Sequence, residues 1–122
     1  MNKLVKSGDF THELFGRLTT IKNEDDDIFF ISNEISKILD YSENRKMLER
    51  LDEDEVLRFN NEEAKRLLPT VEIHSSGIQI LTESGLYSAI PGSKKKEAKA
   101  FKKWVTSEVF SSVKEVKKSR KK

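Results

Sequence analysis

The lysines in the last third of the chain have the clearest chemistry of any residues in the sequence. Residues 94–122 contain twelve Lys or Arg and three acids, a formal charge of +9, whereas residues 1–93 carry a formal charge of −7. Such a division of charge is typical of proteins that bind a nucleic acid or another polyanion. A solvated basic helix followed by a disordered tail would give the same pattern, so charge alone leaves both interpretations open.

The residues that usually carry catalysis or hold metals form no recognisable pattern. His12 and His74 are far apart and have no metal-ligand spacing. Ser84 lacks the flanking glycine of a nucleophile elbow, and residues 91–94 lack the spacing of a phosphate-binding loop. The acidic residues occur in runs that are typical of solvated turns. We therefore predict a protein that is not an enzyme and that uses no metal or cofactor.

Length and composition indicate one domain with a modest core. The 122 residues suffice for one compact unit, and 36% of them are charged. The absence of cysteine excludes disulfides and suits a reducing compartment. No apolar run approaches the roughly 20 residues that cross a bilayer, and the N-terminus lacks the apolar stretch of a signal peptide. We expect an intracellular protein with no membrane partner.

Apolar residues in the basic segment recur at helical spacing. They are three or four apart, with one adjacent pair, and would form one stripe on an α-helix. The stripe consists of Ala98, Phe101, Trp104, Val105, Val109, Val113 and Val116. At about 100° per residue the lysines lie on the other side. The pattern predicts a long basic helix that packs through its stripe and offers lysines to an anion.

Three aromatic residues of this helix could lie in the core or contact a partner. Phe101 and Trp104 could stack on bases, but their spacing favours the core. Phe110 falls on the lysine side if the helix is unbroken, where it would mark a bend or an exposed contact for a partner.

The first part of the chain reads as a hairpin followed by two helices. Residues 10–23 and 28–31 are prone to form strands, and the acidic residues 24–27 predict a turn between them. Ser32 is a good N-cap for a helix over residues 33–39, and Ser42 for a second over residues 43–51. The two helices resemble a helix-turn-helix in outline, although a helical hairpin covering the sheet fits equally well.

The middle of the chain predicts a second hairpin. Residues 60–69 form a loop or a single helical turn, and apolar residues at 71–73 and 78–80 flank a turn with Gly77 at positive φ. Thr82 is a candidate N-cap for the next helix, in which Gly85 allows close packing and Tyr87 fills core. We therefore predict an α+β fold with a small, mostly antiparallel sheet, short helices and a long basic C-terminal helix.

The pattern "ESGLY" stands at residues 83–87, and "A-K-x-F-x-x-W-V-T-x-E-V" at residues 98–109. These two stretches resemble the Bro-N domain, the N-terminal domain of baculovirus Bro proteins that also occurs in phage antirepressors. Residues 28–41 and 51–55 are similar to the family's upstream strand, helix and acidic run. The resemblance covers about residues 10–116, so we expect a domain over residues 1–116 and a basic, flexible tail over residues 117–122.

The chain departs from the family pattern at two places. Phe110 and Ser111 stand where the family usually has Leu-Pro, which allows the helix to continue. Asp40 replaces the glycine of "L-G-Y", and Asp tolerates left-handed geometry less well than Gly.

The resemblance implies a non-catalytic DNA-binding regulatory domain of viral or prophage type. Lysines favour contact with the phosphate backbone over base readout, so affinity should exceed specificity. The expected contact residues are Lys94, Lys95, Lys96, Lys99, Lys102 and Lys103, with Arg45, Lys46 and Arg50 as a second patch. A viral origin would place the protein in the cytoplasm or nucleus of a host cell.

Two other functions remain open at this point. The chain could be a protein-interaction module that captures a repressor or forms a homodimer, with an exposed strand edge or Phe110 as the contact. Alternatively, residues 117–122 resemble a basic nuclear-import signal attached to a structural domain.

Overall fold

Five strands form one antiparallel sheet in the order β1-β2-β3-β5-β4. The computed structural model describes residues 4–69 and 71–112. The strands are β1 (Val5–His12), β2 (Gly16–Lys22), β3 (Ile28–Ile31), β4 (Val56–Phe59) and β5 (Ile78–Thr82). The predicted antiparallel sheet of an α+β fold is confirmed.

Five short α-helices accompany the sheet. They are α1 (Ser32–Ile38), α2 (Asn44–Leu48), α3 (Asn61–Leu67), α4 (Glu83–Ala89) and α5 (Ala98–Trp104). A π-helical turn, Val105–Val109, continues α5, and 3-10 turns lie at Glu53–Glu55 and Ile90–Gly92. Within residues 4–69 and 71–112, no helix has the length and apolar character needed to cross a membrane.

Alternation along the central strands divides the core between the two faces of the sheet. In β3, Ile28 and Phe30 belong to one cluster of buried residues, while Phe29 and Ile31 belong to the other. Helices α1, α2, α4 and α5 cover the first face. Helix α3 covers the second face through Ala64 and the buried Leu68 that follows it. Helix α5 therefore lies on the opposite face of the sheet from α3.

The predicted hairpin with an acidic turn is confirmed, and a further strand precedes it. The Asn23 side chain organises the turn between β2 and β3, because its Oδ1 accepts the backbone N–H groups of Asp25 (2.9 Å) and Asp27 (3.0 Å). The β-prone stretch of residues 10–23 is not one strand, since it turns at residues 13–15. Gly16 has a φ of 78° where β2 begins.

The predicted N-caps of the first two helices are wrong. Helix α1 starts at Ser32, whose hydroxyl instead donates to Asn44 Oδ1 (2.6 Å). Helix α2 follows Glu43 rather than Ser42 and ends at Leu48, so it is shorter than the predicted span of residues 43–51. A tertiary hydrogen bond between the helices has replaced a local cap. Asp40 does adopt the left-handed conformation expected of the family's glycine, with a φ of 63°.

The predicted pairing of residues 71–73 with β5 is wrong as well. Strand β5 pairs with β3 over residues 80–82 and with β4 over residues 78–81, and residues 71–73 pair with neither edge of it. An isolated bridge joins His74 to Gly77, which has the expected positive φ of 101°. Residues 60–69, predicted to form a loop or a single helical turn, contain α3. Asn60 caps this helix by accepting the backbone N–H of Glu63 (3.0 Å).

Phe110 lies in the core, so of the two alternatives for it, a bend or an exposed contact for a partner, the exposed contact is wrong. Only 8% of its surface is exposed, and its ring centroid is 6.0 Å from that of Phe30. A π turn closes hydrogen bonds over five residues instead of four, so it inserts one extra residue into the turn. Phe110, five positions after Val105, is thereby brought back towards the core. The helix is described to residue 112, and the predicted continuation through Val113 and Val116 lies outside the described residues, as does the tail.

A buried carboxylate fixes α4 on the sheet. Glu55 accepts the hydroxyls of Ser84 and Ser88 (3.0 Å), and it also accepts the backbone N–H of Asp52 (3.0 Å). The expectation that the acidic runs are solvated fails at this residue. The Ser84 hydroxyl, then the Asp52 N–H, hold the pKa of Glu55 below its ordinary value. A Cβ at Gly85 would lie 2.7 Å from the Glu55 carbonyl oxygen, which confirms close packing there.

Replacement of the buried phenylalanine tests the π turn. We expect Phe110→Ala to lower the free energy of unfolding by about 3–5 kcal/mol, because it leaves a cavity against Phe30. Urea denaturation measures the change, with Ser111→Ala at the neighbouring exposed position as the control. A loss no larger than that of the control would place Phe110 on the surface.

The pH dependence of stability tests Glu55. A carboxyl with a lowered pKa stabilises the fold above its unfolded pKa of about 4.5, and this contribution is lost as pH falls through the folded pKa. Loss of its charged hydrogen bonds in Glu55→Gln should cost about 1.5–3 kcal/mol at neutral pH. The difference from the parent protein should shrink at about pH 3, as measured by urea denaturation. An equal difference at both pH values would contradict this role.

Candidate nucleic-acid interface

Six lysines line the path from α4 into α5. We call Lys94, Lys95, Lys96, Lys99, Lys102 and Lys103 the lysine surface. Lys95 is half-buried and the other five are exposed. Phe101 and Val105 hold α5 in the core while the lysines of the same helix remain in solvent. The predicted division of this helix into an apolar side and a lysine side is present over its described residues.

Hydrogen bonds tie the start of the lysine surface to the loop between α1 and α2. The Ser93 hydroxyl donates to the Leu39 carbonyl (2.6 Å) and accepts the backbone N–H of Lys95 (3.0 Å). The Tyr41 hydroxyl donates to the Ala89 carbonyl (2.6 Å), and burial raises its pKa. These contacts fix where the lysines leave the body of the domain.

The second predicted patch divides into two parts. Arg50 lies against the turn before the lysine surface, because a Cβ at Gly92 would overlap its side chain and the Tyr41 hydroxyl. Arg45, by contrast, forms ion pairs with Glu43 (3.2 Å) and Glu49 (3.3 Å), which balance its charge locally. Lys46 is exposed on the same helix. Arg50 is therefore the member of this patch that the structure joins to the lysine surface.

An aromatic cluster lies beside α5. The half-buried ring of Trp104 meets His12 edge-on, with centroids 4.9 Å apart, and lies 5.9 Å from Phe15. Leu14, at the turn between β1 and β2, is 60% exposed. Phe101 is a core residue, as predicted. The approach of the first turn to α5 was not expected, because nothing in the local sequence links residues 12–15 to residue 104.

A polar cleft lies at the end of the sheet where β3 stops and β5 starts. Its volume is about 260 Å³, and its lining includes Ser32, Asn33, Asn44, Arg58, His74 and Gln79. Sequence reasoning missed it because these residues come from separate segments that only the fold brings together. Among the described residues, no three His, Asp or Glu side chains are grouped so that they could hold a metal ion.

Replacement of Ser93 tests how the lysine surface is anchored. We expect Ser93→Ala to lower the free energy of unfolding by about 0.5–1.5 kcal/mol, since it removes hydrogen bonds to Leu39 and Lys95. Hydrogen exchange of the Lys95 amide should also become faster, whereas Ser75→Ala, at an exposed serine, should change neither quantity. Unchanged exchange at Lys95 would show that Ser93 does not hold this segment.

Comparison with known proteins gives one result. The family described as "BRO family, N-terminal domain" matches residues 17–111, which include the whole lysine surface and helices α1 to α4. No curated protein and no solved structure shows significant similarity to the chain. The match spans most of the sequence and confirms the resemblance seen at residues 83–87 and 98–109. The chain belongs to the BRO family, of which it carries the N-terminal domain.

Proposed function

We propose that the chain is a non-catalytic DNA-binding regulatory domain of viral or prophage type, which contacts mainly the phosphate backbone. Membership of the BRO family, whose N-terminal domain is associated with baculovirus Bro proteins and phage antirepressors, supports DNA-binding regulation. The observation that carries the proposal is the state of the lysine surface. Within the described part of the chain, none of its six lysines forms an ion pair, whereas Arg45, Arg66 and Lys22 each do.

Unpaired lysines on a rigid surface suit a phosphate backbone. Each phosphate that a lysine neutralises releases condensed counterions, and this gain does not depend on base sequence. Lys99, Lys102 and Lys103 lie on a helix that packs in the core through Phe101, so the fold sets their spacing. Arg50 extends the same positive region across the Gly92 turn. Binding should therefore be strong at low salt and weakly sequence-dependent.

The proposed absence of catalysis is supported by the structural role of two serines and a glutamate on and beside α4. Ser84 and Ser88 donate their hydroxyls to the Glu55 carboxylate, which is buried and serves the packing of α4. A regulatory DNA-binding protein of this type would act inside the host cell, in the cytoplasm or the nucleus.

A protein-interaction module is the second candidate, and exposed apolar residues favour it. Leu57 is 41% exposed on the edge strand β4, and Leu14 is exposed beside β1 at the other edge. Phe110 is no longer a candidate contact because it is buried. A homodimer formed through a strand edge is the form of this function that the sheet supports best.

A pair of charge reversals tests the lysine surface. We expect Lys99→Glu/Lys103→Glu to weaken binding to a random-sequence DNA duplex at least about tenfold, since phosphates then meet repulsion instead of attraction. Fluorescence anisotropy measures the affinity. The matched control is Lys65→Glu/Arg66→Glu, which makes the same change of charge at exposed residues of α3 on the opposite face.

Three outcomes separate the candidates. Weak binding by the first pair with normal binding by the control supports the lysine surface. Loss of binding only after removal of residues 117–122 would transfer the function to the tail. Equal binding by all variants, together with a concentration-dependent dimer, would favour the protein-interaction module.

A further inference from the structure

A buried hydrogen bond orients one of the side chains that line the polar cleft at the end of the sheet. Ser32 is 1% exposed, and it uses its hydroxyl to hold Asn44 Oδ1 at 2.6 Å instead of capping α1. The Asn44 amide is thereby oriented, and no described residue bonds its nitrogen, so two N–H donors remain for a ligand.

A second donor group of the cleft is also oriented. Arg58 Nη1 donates to the Ser76 carbonyl (3.1 Å), which fixes the guanidinium and leaves its other N–H groups without a partner in the described chain. Asn61 Nδ2 donates to the carbonyl of His74 (2.6 Å), another residue that lines the cleft, and so holds that part of the lining in place. The cleft thus offers an amide and a guanidinium group that are each held by a hydrogen bond to the protein.

The chemistry of the lining selects a class of ligand. Amide and guanidinium groups pair with the planar edges of nucleobases, which carry donors and acceptors together. Glu72 also lines the cleft, and its charge disfavours an isolated phosphate. A concavity of about 260 Å³ lies just below the range of about 300–1,000 Å³ of drug-sized ligands. Such a concavity fits one unpaired base and excludes a base that is stacked within a duplex.

The position of the cleft links it to the lysine surface. Helix α2 begins at Asn44 beside the cleft, and the chain that follows reaches Arg50 beside Gly92. At 1.5 Å per helical residue, α2 itself spans about 6 Å, and Arg50 follows two residues after its end. Lys46 lies between Asn44 and Arg50. A nucleic-acid strand whose backbone lies on the lysine surface can therefore extend along α2 to the cleft.

We propose that this cleft receives one unpaired nucleobase of the nucleic acid that the lysine surface binds. The proposal rests on the proposed function and deepens it, because it makes an unpaired nucleotide the preferred target. The backbone contacts supply affinity for any sequence, and the cleft supplies discrimination between bases. Asn44 and Arg58 read the base edge, and Ser32 positions Asn44.

The test uses single strands that differ in one base. Fluorescence anisotropy of the full chain is measured with strands made of abasic sites, either fully abasic or carrying one adenine, cytosine, guanine or thymine. We expect one base to raise affinity about 5- to 100-fold over the fully abasic strand. Asn44→Ala and Arg58→Ala should each abolish that gain and leave affinity for the abasic strand unchanged, whereas Arg66→Ala on α3 should alter neither.

The contrary results are distinguishable. If all five strands bind equally, the cleft does not read a base, while the proposed backbone binding stands. If neither the strands nor a duplex binds at low salt, both the proposed function and this inference fail. Arg58 is exposed, so Arg58→Ala should leave the fold intact. This variant therefore still tests the cleft if Asn44→Ala disturbs α1. Chemical shifts of the Asn44 side-chain amide on addition of the preferred strand should change in the parent protein.

Discussion

The buried Glu55 carboxylate is the contact on which the position of the lysine surface depends. It holds Ser84 and Ser88 on α4, while its own carbonyl lies where a side chain at residue 85 would have to go. Helix α4 follows β5 and leads directly into the turn at Ile90–Gly92, after which the lysines begin. Because Glu55 precedes β4 and α4 follows β5, one carboxylate fixes the end of the sheet and the start of the basic segment together.

The second constraint is that the basic helix packs one side against the core while the other side carries lysines that form no ion pair among the described residues. The π turn at Val105–Val109 achieves this beyond the point where a regular α-helix would turn its apolar residues out of the core. The hydroxyls of Thr106 and Ser107 donate to the carbonyls of Lys102 and Lys103, which lie where the hydrogen-bond spacing changes. Phe110 then adds to the core beside Phe30 and Tyr87.

Local chemistry made part of this structure predictable from the sequence. Thr82 caps α4, Gly77 has positive φ, and the acidic run at residues 24–27 is a turn, since each depends on neighbours in the chain. Two of the failures involve distant partners, since Ser32 bonds Asn44 instead of capping α1, and β5 pairs with β3 and β4 rather than with residues 71–73. A third failure is local, because a π turn leaves no signal in residue spacing. The polar cleft belongs with the two failures that involve distant partners, because its lining is assembled from distant segments.

The central claim is that the lysine surface binds phosphates, and the salt dependence of duplex binding tests it most directly. Six lysines that each neutralise a phosphate predict a slope of log K against log salt concentration of about −5. In an anisotropy titration of a random-sequence duplex, binding should weaken with salt as steeply as this slope requires. Absence of binding at low salt, or binding that salt does not change, would contradict it.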